Sequence, residues 1–195
     1  MTKKIVLGGV LAGLVLFVWS SIAHMLLPIG DMGVKAITKE DAFLAATKAN
    51  ITESGLYIFP GEAMMAAKSG SKEEQRAAMD AVIEKYHTGP HGILVYHPVG
   101  ETLSMTRFLA VEFGADIIVG LIAALALVLA SGKLLSFAGR VGLVTALGLL
   151  GWLSTDVSYW NWYGFPAAYE VGQFLDQVVG MAFAGTLLAF MMRKI

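Results

Sequence analysis

Four apolar runs in this chain each connect a basic residue to one ionisable residue of another kind, at a spacing that matches the hydrocarbon core of a bilayer. Nineteen residues separate Lys4 from His24, 16 separate Asp116 from Lys133, 15 separate Arg140 from Asp156, and 16 separate Asp176 from Arg193. At about 1.5 Å of rise per helical residue these stretches measure roughly 22 to 29 Å, close to what a transmembrane helix has to cover. A run in lipid has no water for its peptide groups, so each must close its hydrogen bonds internally as a helix. The expected fold is an all-α four-helix membrane bundle with a small α/β insertion between its first and second helices. Residues 1–27 would form the first transmembrane helix, 28–103 the insertion, and 104–195 helices two to four.

Composition agrees, since 56% apolar residues and only 15% charged ones lie outside the range of a water-soluble domain. The basic residues Lys3, Lys4, Lys133, Arg140, Arg193 and Lys194 all flank the runs on one side. By the positive-inside tendency that side is cytoplasmic, with both termini on it, and residues 28–103 and 157–168 are extracytoplasmic. Lys3-Lys4, an apolar stretch and Ser21-Ile22-Ala23 also have the look of a secretory signal, but 19 apolar residues exceed a usual signal core, which favours a retained helix. The absence of cysteine excludes disulfides, thiolate metal sites and cysteine nucleophiles. A net charge of −1 leaves no basic field for nucleic acid.

Along the chain, Gly8, Gly9, Ala12 and Gly13 form a small-residue stripe on helix one, with Gly9 and Gly13 at GxxxG spacing, and Gly180, Ala184, Gly185 and Ala189 form another on helix four. The insertion reads as helix (about 39–50), strand (55–59), helix (about 71–86) and strand (92–97). Ser71 with Glu74 makes a capping box, and Gly89-Pro90 stops that helix. Gly55-Leu-Tyr-Ile-Phe-Pro60 echoes Gly92-Ile-Leu-Val-Tyr-His-Pro98, a faint duplication that would put the two strands side by side. Helix two runs from about Ser104 to Ser131. The short connection 132–139 then predicts that helices two and three are antiparallel neighbours. Helix three is expected to end at Asp156 and open into an aromatic loop, Tyr159 to Pro166, suited to headgroup level.

Ionisable residues in membrane segments are functional candidates by default. His24, Glu112, Asp116, Asp156 and Asp176, with Gln173, form the candidate polar site, and Gln177, Ser20, Ser21 and Tyr159 surround it. A bland reading competes: Asp116 and Asp176 near the start of inward helices favour the N-terminal dipole, and charges near an interface cost little. Asp156, at the expected C-terminal end of helix three, is disfavoured there and calls for a partner, His24 being the nearest cation by depth. His24, Asp116, Asp156 and Asp176 would suit a divalent metal of the Zn, Mn or Fe type; without one, the crowded carboxyls would form an acid/base pocket. The pattern lacks the Glu-x-x-His pair of di-iron bundles. His87 and His91 frame a Gly-Pro turn and, with His97, read as exposed or locally bonded rather than zinc-binding, and the scattered methionines as soft packing.

Nucleotide loops, hydrolase elbows and HExxH motifs are absent from the sequence. The inner halves of the helices offer only Thr145 and Thr186, too little for a polar-solute path. In layout, and in Trp19-Ser-Ser-Ile-Ala-His24-Met-Leu-Leu-Pro28, Gly55-Leu-Tyr-Ile-Phe-Pro60 and Ser158-Tyr-Trp-Asn-Trp-Tyr-Gly-Phe-Pro166, the chain resembles a group of uncharacterised small bacterial four-helix inner-membrane proteins. The resemblance implies a bacterial inner membrane and brings no activity that can be carried over. The leading expectation is a non-enzymatic accessory or assembly subunit that binds membrane protein partners, or further copies of itself, through bundle and cap. The alternative is an outer-leaflet enzyme or redox-active binder acting on a lipid or quinone.

Overall fold

A computed structural model describes residues 2–100, 102–130 and 136–193. Lys133, Lys194 and Ser131 lie outside the described residues. The chain divides into two compact units, residues 1–35 with 104–195, and residues 36–103.

The first unit is the bundle. It contains α1 (Thr2–Met25), α5 (Met105–Ala130), α6 (Phe137–Tyr163), α7 (Ala167–Phe174), a π-helical turn (Leu175–Val179) and α8 (Gly180–Met191). Among the described residues four helical stretches are long and apolar enough to cross a membrane: Lys3–Met25, Met105–Ala130, Phe137–Tyr163 and Ala167–Met191. Only 17 to 39% of each is buried within the protein, so most of their apolar surface needs lipid around it. This is a membrane protein.

Small residues determine which helices meet. Gly120 of α5 lies so close to α1 that a Cβ there would run into the backbone of Gly9 and Gly13. At Gly9 the same added atom would sit 2.7 Å from the Leu121 Cα. The GxxxG pair is thus used inside the chain, and α1 packs on α5 more closely than any other two helices pack. On the other side, α8 lies between α1 and α6. Gly180 admits the Trp19 indole, a Cβ on Gly185 would come within 2.9 Å of Val144, and Ala184 and Ala189 are fully buried. The core is correspondingly made of Ala12, Leu16, Ala123, Leu127, Val144, Met181 and Leu188.

The expectation that helices two and three pack side by side is largely overturned. Despite their short connection, α5 and α6 touch little. Each finds its small-residue partner elsewhere, α5 on α1 and α6 on α8, and close backbone approach outweighs adjacency in the chain. The aromatic loop is a second correction. α6 continues two turns beyond Asp156 to Tyr163, so residues 157–163 are helical. It ends where Gly164 turns left-handed (φ +72°) and the N–H groups of Gly164 and Phe165 both donate to the Tyr159 carbonyl. Tyr159 and Phe165 stack across that end, at 5.3 Å between ring centres.

Arg140, which its position in the sequence assigns to a basic interfacial ring, is instead buried, and its guanidinium donates to the Met192 carbonyl at 2.7 Å. A cation at the last turn of α8 satisfies an orphan carbonyl and opposes the negative end of the helix dipole.

The second unit comprises α2 (Glu40–Asn50), β1 (Gly55–Phe59), α3 (Gly61–Ala66), α4 (Lys72–Thr88) and β2 (Gly92–Tyr96). The strands pair antiparallel with Tyr57 opposite Leu94. Side by side they are, as the echo between them predicts, but with opposite directions, and the short α3 is an addition to the elements the sequence predicts. The capping box forms as its residues predict: Ser71 accepts from the Glu74 amide, and the Ser71 amide donates to the Glu74 carboxyl at 2.7 Å. Those bonds from Ser71 hold the Glu74 carboxyl below its usual range.

Candidate intramembrane cleft

Where α5 and α6 diverge, a cleft of about 370 Å³ opens between them. Its walls are Glu112, Asp116 and Val119 of α5 and Leu147, Gly148 and Gly151 of α6. Leu16, Trp19 and Ser20 of α1 and Asp176, Gln177 and Met181 of the fourth span form its floor. The chain directions sort these residues by depth. On α1, α5 and the fourth span the polar lining residues lie toward the end where α1 finishes and α5 begins, and an apolar one toward the end that carries the termini, while α6 lends only Leu147 and two glycines. The cleft is amphipathic along its length.

The π-helical turn places the polar floor. A π turn carries one residue more than an α turn and recurs at functional sites. Here it spans Asp176 and Gln177, and the Asp176 carbonyl accepts the Trp19 indole N–H at 3.0 Å as well as the Gly180 amide. Trp19 is also held edge-on by Phe183, at 5.0 Å between ring centres. The Asp176 side chain lies within hydrogen-bond reach of Ser20 and within electrostatic reach of His24, both on α1. Asp116 lies within electrostatic reach of both Glu112 and Asp176. Two carboxyl oxygens of the cleft, Asp116 Oδ2 and Asp176 Oδ1, are shut off from solvent and have no hydrogen-bond partner.

Behind the cleft is a second carboxyl pair. Asp156 is 5% exposed, and its Oδ2 accepts from the Gln177 side-chain amide at 2.9 Å. This corrects the expected pairing with His24, whose Nδ1 instead faces the Ser20 carbonyl at 3.0 Å while its ring packs on Gly30. The helix dipole does not argue against Asp156, because α6 runs on past it. Glu170, not among the expected site residues, is 7% exposed; its carboxyl is within electrostatic reach of Asp156, and neither of its oxygens has a partner. Its backbone carbonyl accepts the Trp152 indole at 3.0 Å.

Of the expected residues, then, Glu112, Asp116 and Asp176 share the cleft, Asp156 reaches it through Gln177, His24 lies above Asp176, and Gln173 is half-buried outside the lining. Among the described residues, no three His, Asp or Glu side chains converge closely enough to hold one metal ion. Deeper in the membrane, the Thr145 and Thr186 hydroxyls are spent on carbonyls of their own helices, Val141 and Ala182. In the insertion, His91 stacks on Tyr86 at 4.2 Å between rings, and His87 is exposed.

Fold and cleft define an integral membrane protein with a polar pocket set into one end of an apolar bundle. No protein family matches the chain, and no curated protein or solved structure is similar to it.

Proposed function

We propose that the protein is a non-enzymatic binding protein of the membrane, which takes an amphipathic molecule sideways from the bilayer into the cleft between α5 and α6. The carrying observation is the cleft itself, polar at one end, apolar at the other, and bounded by two helices that barely touch. Its polar and apolar lining residues are separated along the axes of α1, α5 and the fourth span, the direction in which a lipid or quinone lies among membrane helices. The small-residue stripes, which alone would suggest a partner surface, are occupied within the chain, so they do not argue for an accessory subunit. The membrane is a bacterial inner membrane, with the termini inside and the polar end of the cleft in the outer half.

A second reading, the accessory or assembly subunit, draws support from residues 36–103. Among the described residues of this unit only Thr47 and Val82 are buried, whereas Leu56, Val95 and Val99 are each more than 60% exposed. A unit this poor in core invites a covering surface.

One measurement separates the two. At Gly151 an added Cβ would meet only the Gln177 side chain, at 3.6 Å, so Gly151→Leu fills the cleft without moving backbone. Native mass spectrometry of the full chain from mild detergent is expected to show an adduct of lipid or quinone mass that Gly151→Leu loses while remaining folded. Equal adducts in both proteins contradict the binding reading. A stoichiometric added protein, unaffected by Gly151→Leu, favours the second.

A further inference from the structure

We infer that residues 36–103 rest on the bilayer itself, with the aliphatic face of the β1–β2 sheet set among the lipid headgroups. The register puts Leu56 opposite Val95 and Ile58 opposite Ile93, and strand alternation turns all four side chains to one face. Leu56 and Val95 are exposed there, whereas Tyr57 and Tyr96 meet edge-on across the other face, at 6.5 Å between ring centres. Among the described residues only the short α3 packs on β1, and neither α2 nor α4 packs on the strands more than marginally. A two-stranded sheet left in this state is marginal in water and gains from a cover.

Lipid is the cover that the rest of the unit fits. Residues 54–61 and 86–100 contain no Asp, Glu, Lys or Arg, while α2 carries Glu40, Asp41 and Lys48 and α4 a mixed run of charges from Lys72 to Lys85. The unit is thus uncharged around its strands and charged on its two long helices, the division that an interfacial element needs. Its apolar surface also continues that of the membrane spans. Met25 and Leu26, where α1 ends, and Leu103 and Met105, where α5 begins, are all strongly exposed. Only residues 97–104 join β2 to the span that starts at Met105, and a connection of that length reaches no farther than about 30 Å, so the sheet stays within reach of the leaflet that α5 enters. A protein partner fits this face less well, because Leu and Val are under-represented at the energetic centres of protein interfaces, where Trp, Tyr and Arg dominate.

The test uses the full chain in vesicles, with a unique thiol introduced by Leu56→Cys, by Val95→Cys or, on α2, by Lys48→Cys, each at an exposed position. A nitroxide on the thiol is relaxed either by oxygen, which concentrates in lipid, or by a water-soluble nickel chelate. The ratio of the oxygen effect to the nickel effect is expected to be about tenfold higher at positions 56 and 95 than at 48, the partition that burial of one aliphatic side chain supports. The difference should persist at high salt, because the strands carry no charge for salt to screen. With the nitroxide at exposed Val99→Cys, adding Leu56→Glu/Val95→Glu should abolish an oxygen-dominated ratio; both changes lie on the surface, and an unchanged ratio contradicts the sheet face as the anchor. Nickel dominating at 56, 95 and 48 alike means that the face stands in water and overturns the inference. Exclusion of both reagents from 56 and 95 overturns it as well, with a protein, a second copy or another subunit, covering the sheet instead of lipid. Loss of the difference at high salt assigns the attachment to charge and contradicts the aliphatic face as its cause.

Discussion

Gly120→Leu is expected to drive α1 and α5 apart and to lower stability in micelles by about 3 kcal/mol or more, the upper range for overpacking a close-packed site. The cost is high because the obstacle is backbone, at Gly9 and Gly13, and cannot rotate away. The same helix supplies its own control. An added Cβ at Gly114 meets nothing within 4 Å, so Gly114→Leu should be neutral or slightly stabilising through better helix propensity. Unfolding curves in mixed detergent, followed by tryptophan fluorescence, compare the two directly. Similar curves for both variants would mean that α1 and α5 do not cross where the glycines place them.

Trp19→Ala should have the second large effect, about 3 to 5 kcal/mol, the range for truncating a large packed aromatic. Trp19 fills the space above Gly180, lies edge-on to Phe183, lines the cleft floor and donates to the Asp176 carbonyl in the π turn. Trp19→Phe divides these roles, because it keeps most of the ring and loses the donor. It should cost about 1 kcal/mol and concentrate its effect in faster amide exchange over residues 175–180. Uniform acceleration throughout the bundle in Trp19→Phe would show that the indole N–H does not hold the π turn.

Local features of the chain are legible in its residues alone. The spacing of charges marks four spans, Ser71 with Glu74 marks the start of α4, and Gly9 with Gly13 marks a close helix contact. What that contact meets is not legible, since Gly120 stands alone in an apolar run and only the fold brings it to α1. The end of α6 is obscured because Tyr159-Trp-Asn-Trp has the composition of an interfacial loop, whereas Gly164 two residues before Pro166 is the usable stop signal. The cleft is half legible. Depth alone groups Asp116, Asp176 and Glu112, but the pairing of Asp156 with Gln177 and the burial of Glu170 depend on the π turn and on which faces meet. Those are tertiary facts, and a single carboxyl in a sequence does not announce them.

The account depends on four crossings with the insertion and the polar cleft on the side opposite the termini. The chain has no cysteine, so Lys68→Cys and Ala138→Cys each introduce a unique thiol at an exposed position. With a membrane-impermeant maleimide on intact spheroplasts, Lys68→Cys should label and Ala138→Cys should label only after the membrane is opened. Labelling of both in intact spheroplasts, or of Ala138→Cys alone, would contradict the arrangement.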